Sequence, residues 1–352
     1  LFAPPAHADI KIGLVAPFTG DLALGGEQIK RGAEQAINDI NAKGGIDGQK
    51  LVLYPVDDAC DPKQGVTAAN KIASEGIKFV TGFYCSSSAI PASKTYMDEE
   101  ILMVAAGASS PILTEGAKNG TVFRVYPNDN SQGAFIAQQL IKRYRGKRIA
   151  ILDDQDAWGA GIAEMVKKKV EAVGVHPVLV DSYMAGTRDY GSLITKLEHY
   201  KVQVAFIAGF PTGVGLIVRQ MKEQGAHIQV IGGDALTTNQ FWNVAGPAGN
   251  GVLLSFVSDP RKRAEAKPVV AALRKAGFEP EGVTLYAYAA VQTVAAGIER
   301  GAGDPFKAAK ALRAKPVNTI LGPLSFDPYG DITHPAFSLY QWHNGNYNEV
   351  KG

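Results

Sequence analysis

Short runs of apolar, β-favouring residues alternate along this chain with segments whose apolar positions recur at helical spacing. IKIGLVAP (10–17) reads as a strand, and the segment 27–43 then repeats Ile29, Ala33, Ala36, Ile37 and Ile40 on one helical face before GGIDG closes it as a turn. A strand LVLYPVDD follows, and Asp61-Pro62 supplies the N-cap and first-turn proline of a second helix. KFVTGF, a helix after Ser86 and ILMVAAG continue the alternation, which places parallel strands under covering helices in a doubly wound sheet. From about residue 129 the pattern restarts: helix 130–145, strand RIAILDD, helix 159–173, strand HPVLVDSY, helix 188–199, strand VQVAFIAGF, helix 213–224 and strand QVIGGD. The fold class expected is α/β, with two similar doubly wound parallel-sheet lobes.

Beyond GVLLSF (251–256), helices at 263–276 and 284–299 precede the run GPLSFDPYGDITHPAFSLYQWH, and these late elements have no sheet of their own. The economical solution returns the chain to the first lobe and finally to the second. Lobe 1 then comprises 9–127 and 258–333, lobe 2 comprises 128–257 and 334–352, and three connecting segments form a hinge.

The length of 352 residues and a hydrophobic content of 46% suffice for two buried cores. Lys plus Arg 36 against Asp plus Glu 34 leaves +2, without the basic clustering a phosphate backbone demands, so nucleic acid is not an expected partner. No apolar run approaches the roughly 20 residues that cross a bilayer. Ala6-His7-Ala8 has the small-x-small pattern at which signal peptidase cuts, so residues 1–8 read as a signal-peptide remnant of an exported chain, with the mature chain starting near Asp9. Cys60 and Cys85 are the two cysteines, and an even count in an exported chain favours a disulfide, although sequence does not prove the pairing. The six histidines lie outside metal-ligand spacing of one another and of the cysteines, so neither a metal nor another cofactor is expected.

Ligands of parallel sheets sit at the carboxyl ends of strands. The candidate loops are therefore 19–26, 57–61, 84–88, 107–111, 153–158, 209–213 and 234–238. An enzyme would start from Cys85 or Ser86, yet G-x-S-x-G is absent and no histidine falls in these loops. Gly213-Val214-Gly215 and Gly301-Ala302-Gly303 lack the third glycine of a dinucleotide fingerprint. What remains is Ser86-Ser87-Ser88 at a helix N-terminus, where unpaired amides attract an anion such as a carboxylate. The same serines also suit simple helix capping. Ser109 in AAGASSP and Asp234 in GGDAL add partners for both charges of a zwitterion, while Tyr84, Trp158 and Phe210 supply aromatic walls for a small-molecule cleft or, individually, ordinary packing.

INDINAKGGIDGQKL, DDACDPKQ, ANKIASEGIKFV, CSSS, SQG, YAAVQ, GPLSFD and QWH together resemble the periplasmic branched-chain amino acid binding proteins of ABC transporters, from about residue 9 to 343. The resemblance implies a type I periplasmic-binding fold that closes on its ligand, and a disulfide between Cys60 and Cys85. It also implies that Ser86 binds the ligand carboxylate through hydroxyl and N–H, that Ser109 touches both ligand charges, and that the Gly107 carbonyl accepts from the ammonium. Asp234 stands where the family has a glutamate paired with that ammonium; Phe210 and Trp158 replace tyrosines.

Two departures bear on the ligand: Gly25 stands where close relatives carry tryptophan, and Tyr84 where they carry leucine. The expectation is an aromatic ring in the space opened at Gly25, faced by Tyr84, Phe210 and Trp158. The head group is an amino acid or an aromatic 2-oxo or carboxylic acid. Asp234 argues for the amine, because a carboxylate buried unpartnered beside another is costly, and Asp129 stands as an alternative contact at the cleft mouth. The implied role is a monomeric solute receptor that delivers cargo to an ABC permease and its ATPase. The alternative is a sensory module of the same fold; a DNA-reading domain or transmembrane helix would favour it, and no run reads as either.

Overall fold

A computed structural model describes residues 8–333 and 335–350. Of the signal-peptide remnant expected at 1–8, all but Ala8 lies outside the described residues. The chain divides into two compact units: the first takes it as far as Pro127 and again from Pro260, the second takes Asn128–Asp259 and the chain from Pro335. It passes from one to the other three times, and the second passage follows Asp259 rather than Val257.

The first unit opens with β1 (Ile10–Ala16), α1 (Ala23–Ala42), β2 (Leu51–Asp57), α2 (Pro62–Ser74), β3 (Phe79–Gly82), α3 (Ser86–Asp98), β4 (Leu102–Ala105), α4 (Ile112–Glu115) and β5 (Val122–Arg124). The five strands form one parallel sheet in the order β2-β1-β3-β4-β5. Strand order reverses between β1 and β3, and the crevice at such a reversal is where open α/β sheets take ligands. One core cluster joins Val15, Val80, Met103 and Ala105 of the sheet to Ala69 and Ile72 of α2 and Ala92 and Tyr96 of α3. Asp61 caps α2 by accepting from the Lys63 and Gln64 amides, with Pro62 in the first turn.

α1 begins four residues before the expected helix, so Gly25 and Gly26 belong to its first turn rather than to a loop. Glycine is a poor helix former, which is why the stretch reads as a loop. Tertiary contact overrides that preference: a Cβ on Gly26 would lie 1.9 Å from the Pro17 carbonyl oxygen.

The second unit carries α5 (Asp129–Tyr144), β6 (Ile149–Asp153), α6 (Ala157–Glu171), β7 (Leu179–Ser182), α7 (Gly191–His199), β8 (Val204–Ala208), α8 (Pro211–Glu223), β9 (Gln229–Gly232), α9 (Asn239–Ala245) and β10 (Leu253–Val257). Returning to the first unit, the chain forms α10 (Lys267–Lys275), α11 (Thr284–Gly301), α12 (Pro305–Ala314), β11 (Val317–Thr319) and β12 (Gly322–Leu324). α11 packs on α1, where Gly32 allows an approach in which any Cβ would fall 2.0 Å from the Thr284 carbonyl oxygen.

β13 (Phe337–His343) and β14 (Asn346–Glu349) complete the second sheet, in the order β14-β13-β10-β9-β8-β6-β7. β13 pairs antiparallel with β10 and with β14, and the remaining pairs are parallel. This sheet reverses order between β6 and β8. The expectation that the late elements form no sheet is corrected here, because β11 and β12 pair as a two-stranded antiparallel hairpin. Its strands are three residues each, too short to show a period.

Candidate ligand-binding site

In the first unit the end of β3 organises three loops. Gly82 has φ +110°, with an added Cβ only 2.1 Å from the Val15 carbonyl oxygen, and Phe83 follows at φ +60°. A bulky residue in the left-handed region is costly and persists only where its surroundings hold it. Here the Phe83 amide donates to Val15 at 2.6 Å, and its carbonyl accepts from the Gly107 and Ala108 amides at 3.1 and 3.0 Å. The end of β1 and the loops after β3 and β4 are thereby locked together.

Cys85 is the N-cap of α3, but its sulfur is bonded to Cys60, with the two Cα atoms 5.4 Å apart, and it gives the helix no side-chain cap. The serines do not replace it. Ser87 donates to the Cys60 carbonyl at 2.9 Å, and Ser88 to Asp58 Oδ2 at 2.7 Å. Burial pushes the Asp58 carboxyl above its usual range, although the Cys60 amide and Ser88 hydroxyl favour its ionised form. Ser86 is 1% exposed, and its oxygen accepts from the Ser110 amide at 3.1 Å, leaving the hydroxyl proton for another acceptor. The capping reading of this serine row therefore fails, and the helix keeps an uncapped N-terminus beside a hydroxyl donor.

Ser109 lies in the neighbouring loop and is 3% exposed. Its position is set from below by Arg124, which is fully buried and donates from Nη1 to the carbonyls of Ala108 (3.3 Å) and Ser110 (2.8 Å). The same guanidinium reaches the Thr114 hydroxyl at 2.6 Å and pairs through Nε with Asp331. Neither Arg124 nor Asp331 was among the candidates from sequence. The available signal was an arginine inside the apolar strand TVFRVY.

At Gly107 the approach is tight: a Cβ would sit 3.2 Å from both the Phe83 carbonyl oxygen and the Tyr84 Cα. Gly25 and Tyr84, both candidates from sequence, stand against each other. Ring atoms of Tyr84 lie 2.7 to 2.8 Å from a Cβ added to Gly25. Tyr84 therefore takes up part of the room that a side chain at position 25 would need.

In the second unit Trp158 is 5% exposed and part of the core cluster. Its indole N–H donates to Asp129 Oδ1 at 3.2 Å, and its ring lies against Phe210 with centroids 5.4 Å apart. An added Cβ on Gly233 would meet the far edge of the indole at 3.1 Å, so Trp158 reaches the turn that starts with Asp234. Asp234 is 6% exposed and opens a short 3-10 turn at the end of β9. Asp129, expected at a cleft mouth, is 1% exposed and fixes the indole. Phe210 is half-buried at the N-cap of α8.

Each unit thus gathers its own candidates at the carboxyl ends of its strands: Gly25, Tyr84, Ser86, Gly107 and Ser109 in the first, and Asp129, Trp158, Phe210 and Asp234 in the second. Among the described residues no helix is long and apolar enough to cross a membrane, and no group of His, Cys, Asp or Glu is arranged to hold a metal ion.

A periplasmic binding protein family model matches residues 9–346. A Leu/Ile/Val-binding protein homolog of Brucella suis is 40% identical over 355 residues, covering 99% of this chain and 95% of that protein. Among solved structures, the branched-chain amino acid transporter substrate binding protein LivJ of Streptococcus pneumoniae, in complex with isoleucine, superposes with a TM-score of 0.86 at 22% identity, covering 98% of this chain and all of that one. A solute binding protein of an R. palustris ABC transporter, in complex with benzoate, superposes with a TM-score of 0.87 at 22% identity over 97% of this chain and 95% of that one. The chain therefore belongs to the periplasmic binding proteins, in the branched-chain amino acid branch, whose members bind solutes and are not enzymes.

Proposed function

We propose that this protein captures a small hydrophobic carboxylate, either a hydrophobic or aromatic amino acid or an aromatic 2-oxo or carboxylic acid, and delivers it in the periplasm to an ABC permease. The observation that carries this reading is the N-terminus of α3, left without a side-chain cap because Cys85 is in the disulfide, with Ser86 and Ser109 alongside. Such a terminus combines amide donors with a favourable dipole for one negative charge. In this reading Ser86 N–H and hydroxyl take the carboxylate, Ser109 assists, and the Gly107 carbonyl and Asp234 are the assigned acceptors of an ammonium when the ligand has one. Tyr84 and Phe210, both half-buried, are the side chains this reading assigns to the apolar part. The same fold houses isoleucine in one relative and benzoate in another. Ligand capture proceeds by closure of the two units, and the bound solute stabilises the closed state by its greater affinity for it.

The test is calorimetric titration of protein refolded free of endogenous ligand with leucine, phenylalanine, phenylpyruvate and benzoate. An aromatic compound is expected to bind most tightly. Leucine binding above every aromatic compound would sink the aromatic preference, and turnover of any of them would sink the receptor reading. Ser86→Ala is expected to weaken the best ligand by about 1.5–3 kcal/mol, the worth of a hydrogen bond to a charged group. An unchanged dissociation constant would move the carboxylate elsewhere.

A further inference from the structure

At the strand-order reversal of the second sheet, two glycines let backbone and polar side chains approach unusually closely. A Cβ added to Gly209, just past β8, would lie 1.9 Å from the Tyr183 hydroxyl oxygen and 3.2 Å from Asp154 Oδ2. One added to Gly159, in the first turn of α6, would lie 2.2 Å from Asp154 Oδ1. Asp154 is 4% exposed and Tyr183 5%. Asp154 Oδ2 and the Tyr183 hydroxyl both lack a hydrogen-bond partner among the described residues. Orphaned buried polar atoms are uncommon and call for an explanation.

The rest of Asp154 is engaged with the elements that carry the aromatic pair. Its Oδ1 accepts from the Asp156 amide at 3.1 Å, and Asp156 in turn caps α6 by accepting from the Trp158 amide at 2.9 Å. Its own amide donates to Ala208 at 3.1 Å, tying the end of β6 to the end of β8. The Phe210 amide also favours the ionised carboxylate. One carboxylate thus stands at the root of both Trp158 and Phe210.

We propose that Asp154 is a positioning residue for the Trp158–Phe210 pair, and that its outer oxygen and the Tyr183 hydroxyl form a buried proton site through which the grip of this aromatic wall responds to pH. The inference about ligand grip rests on the binding role proposed above; the inference about the proton site does not.

Burial raises the Asp154 carboxyl from 3.8 to about 7, reinforced by the negative charges of Asp156 and Asp153. The groups facing it are those two carboxylates, Asp153 from the end of β6 and Asp156 from the β6–α6 connection, and the phenols of Tyr183 and Tyr190 from the β7–α7 connection. The β8–α8 turn contributes only Gly209 and Phe210, neither of which titrates. Because the folded value lies above the ordinary one, the neutral carboxyl favours folding. That stability is complete below about pH 4 and is lost as pH rises through about 7. Ionisation strengthens the bonds from the Asp156 and Phe210 amides, so the pair is held more firmly at high pH. Stability and ligand affinity consequently move in opposite directions with pH, which a purely structural carboxylate would not produce.

The test needs no ligand at its first stage. Tryptophan emission of the ligand-free protein is followed from pH 5 to 9 in wild type, Asp154→Asn and Trp158→Phe. Wild type is expected to show one transition with a midpoint at about 7, lost in both variants. A flat wild-type profile, or a transition that persists in Asp154→Asn, overturns the proton site. Tyr183→Phe leaves the carboxylate in place and serves if Asp154→Asn fails to fold; its midpoint is expected to rise, and an unmoved midpoint removes Tyr183 from the site. In the second stage phenylalanine and leucine are titrated at pH 6 and pH 8. A severalfold tighter dissociation constant at pH 8 in wild type and none in Asp154→Asn supports the positioning role, and equal pH dependence in both overturns it. If neither amino acid binds, the binding role for these ligands fails while the emission profile still decides the proton site.

Discussion

Arg124→Met is expected to remove about 3–5 kcal/mol of stability from the first unit, because it leaves Asp331 as a buried charge without its guanidinium. Arg124 is 0% exposed and Asp331 9%, so water does little to relieve the loss. The carbonyls of Ala108 and Ser110 and the hydroxyl of Thr114 lose their donor at the same time. The ion pair itself need not stabilise the fold relative to an apolar pair; the cost arises from breaking one side of it. Arg124→Met combined with Asp331→Leu is therefore expected to recover part of the stability. The measurement has a built-in control, since Trp158, Trp242 and Trp342, the three tryptophans of the chain, all lie in the second unit. Denaturant unfolding followed by circular dichroism should shift to lower midpoint, while the tryptophan transition moves far less. A loss under 1 kcal/mol would show that the cluster is not the keystone of the loop that presents Ser109.

Removing the disulfide, by Cys60→Ala with Cys85→Ala, is expected to cost the first unit about 3 kcal/mol on the chain-entropy account. The bond spans 25 residues. It closes a turn in which Ala59 and Cys60 both adopt left-handed backbone, at φ +43° and +57°, a conformation that non-glycine residues populate only when held. The Asp58 carboxylate shares that task through the Cys60 amide at 3.1 Å and the Ser88 hydroxyl. The same variant probes function, because loss of the Cys60 anchor frees the segment that leads into α3. Ligand affinity should fall along with the unfolding midpoint. An unchanged midpoint would mean that Asp58 and its partners hold the turn unaided.

The alternation of strands and helices was legible because it rests on local periods of two and 3.6 residues. Apolar runs such as IGLVA and VAFIA become fully covered stretches of parallel strand. Ser86 was legible for the same reason, since a helix start after a strand places its first amides where no neighbour in sequence can satisfy them. Misplaced boundaries mark the points where distant residues intervene. α1 extends through Gly25 and Gly26 because Tyr84 and Pro17 press against them, and glycines in a row read as a loop when nothing says what they touch.

The residues that hold the candidate site in place were the hardest to see. Arg124 meets Ala108, Ser110, Thr114 and Asp331, and Asp154 meets groups from two other strand ends. A charged residue in an apolar strand signals that partners exist without naming them. A glycine in place of a bulky residue likewise does not say which neighbour stands against it. Chain order specifies which faces are apolar and which helix ends lie beside strand ends, because those properties depend on near neighbours. Which neighbour stands against a glycine depends on every side chain able to reach it, and at Gly25 the tertiary structure brings up the ring of Tyr84.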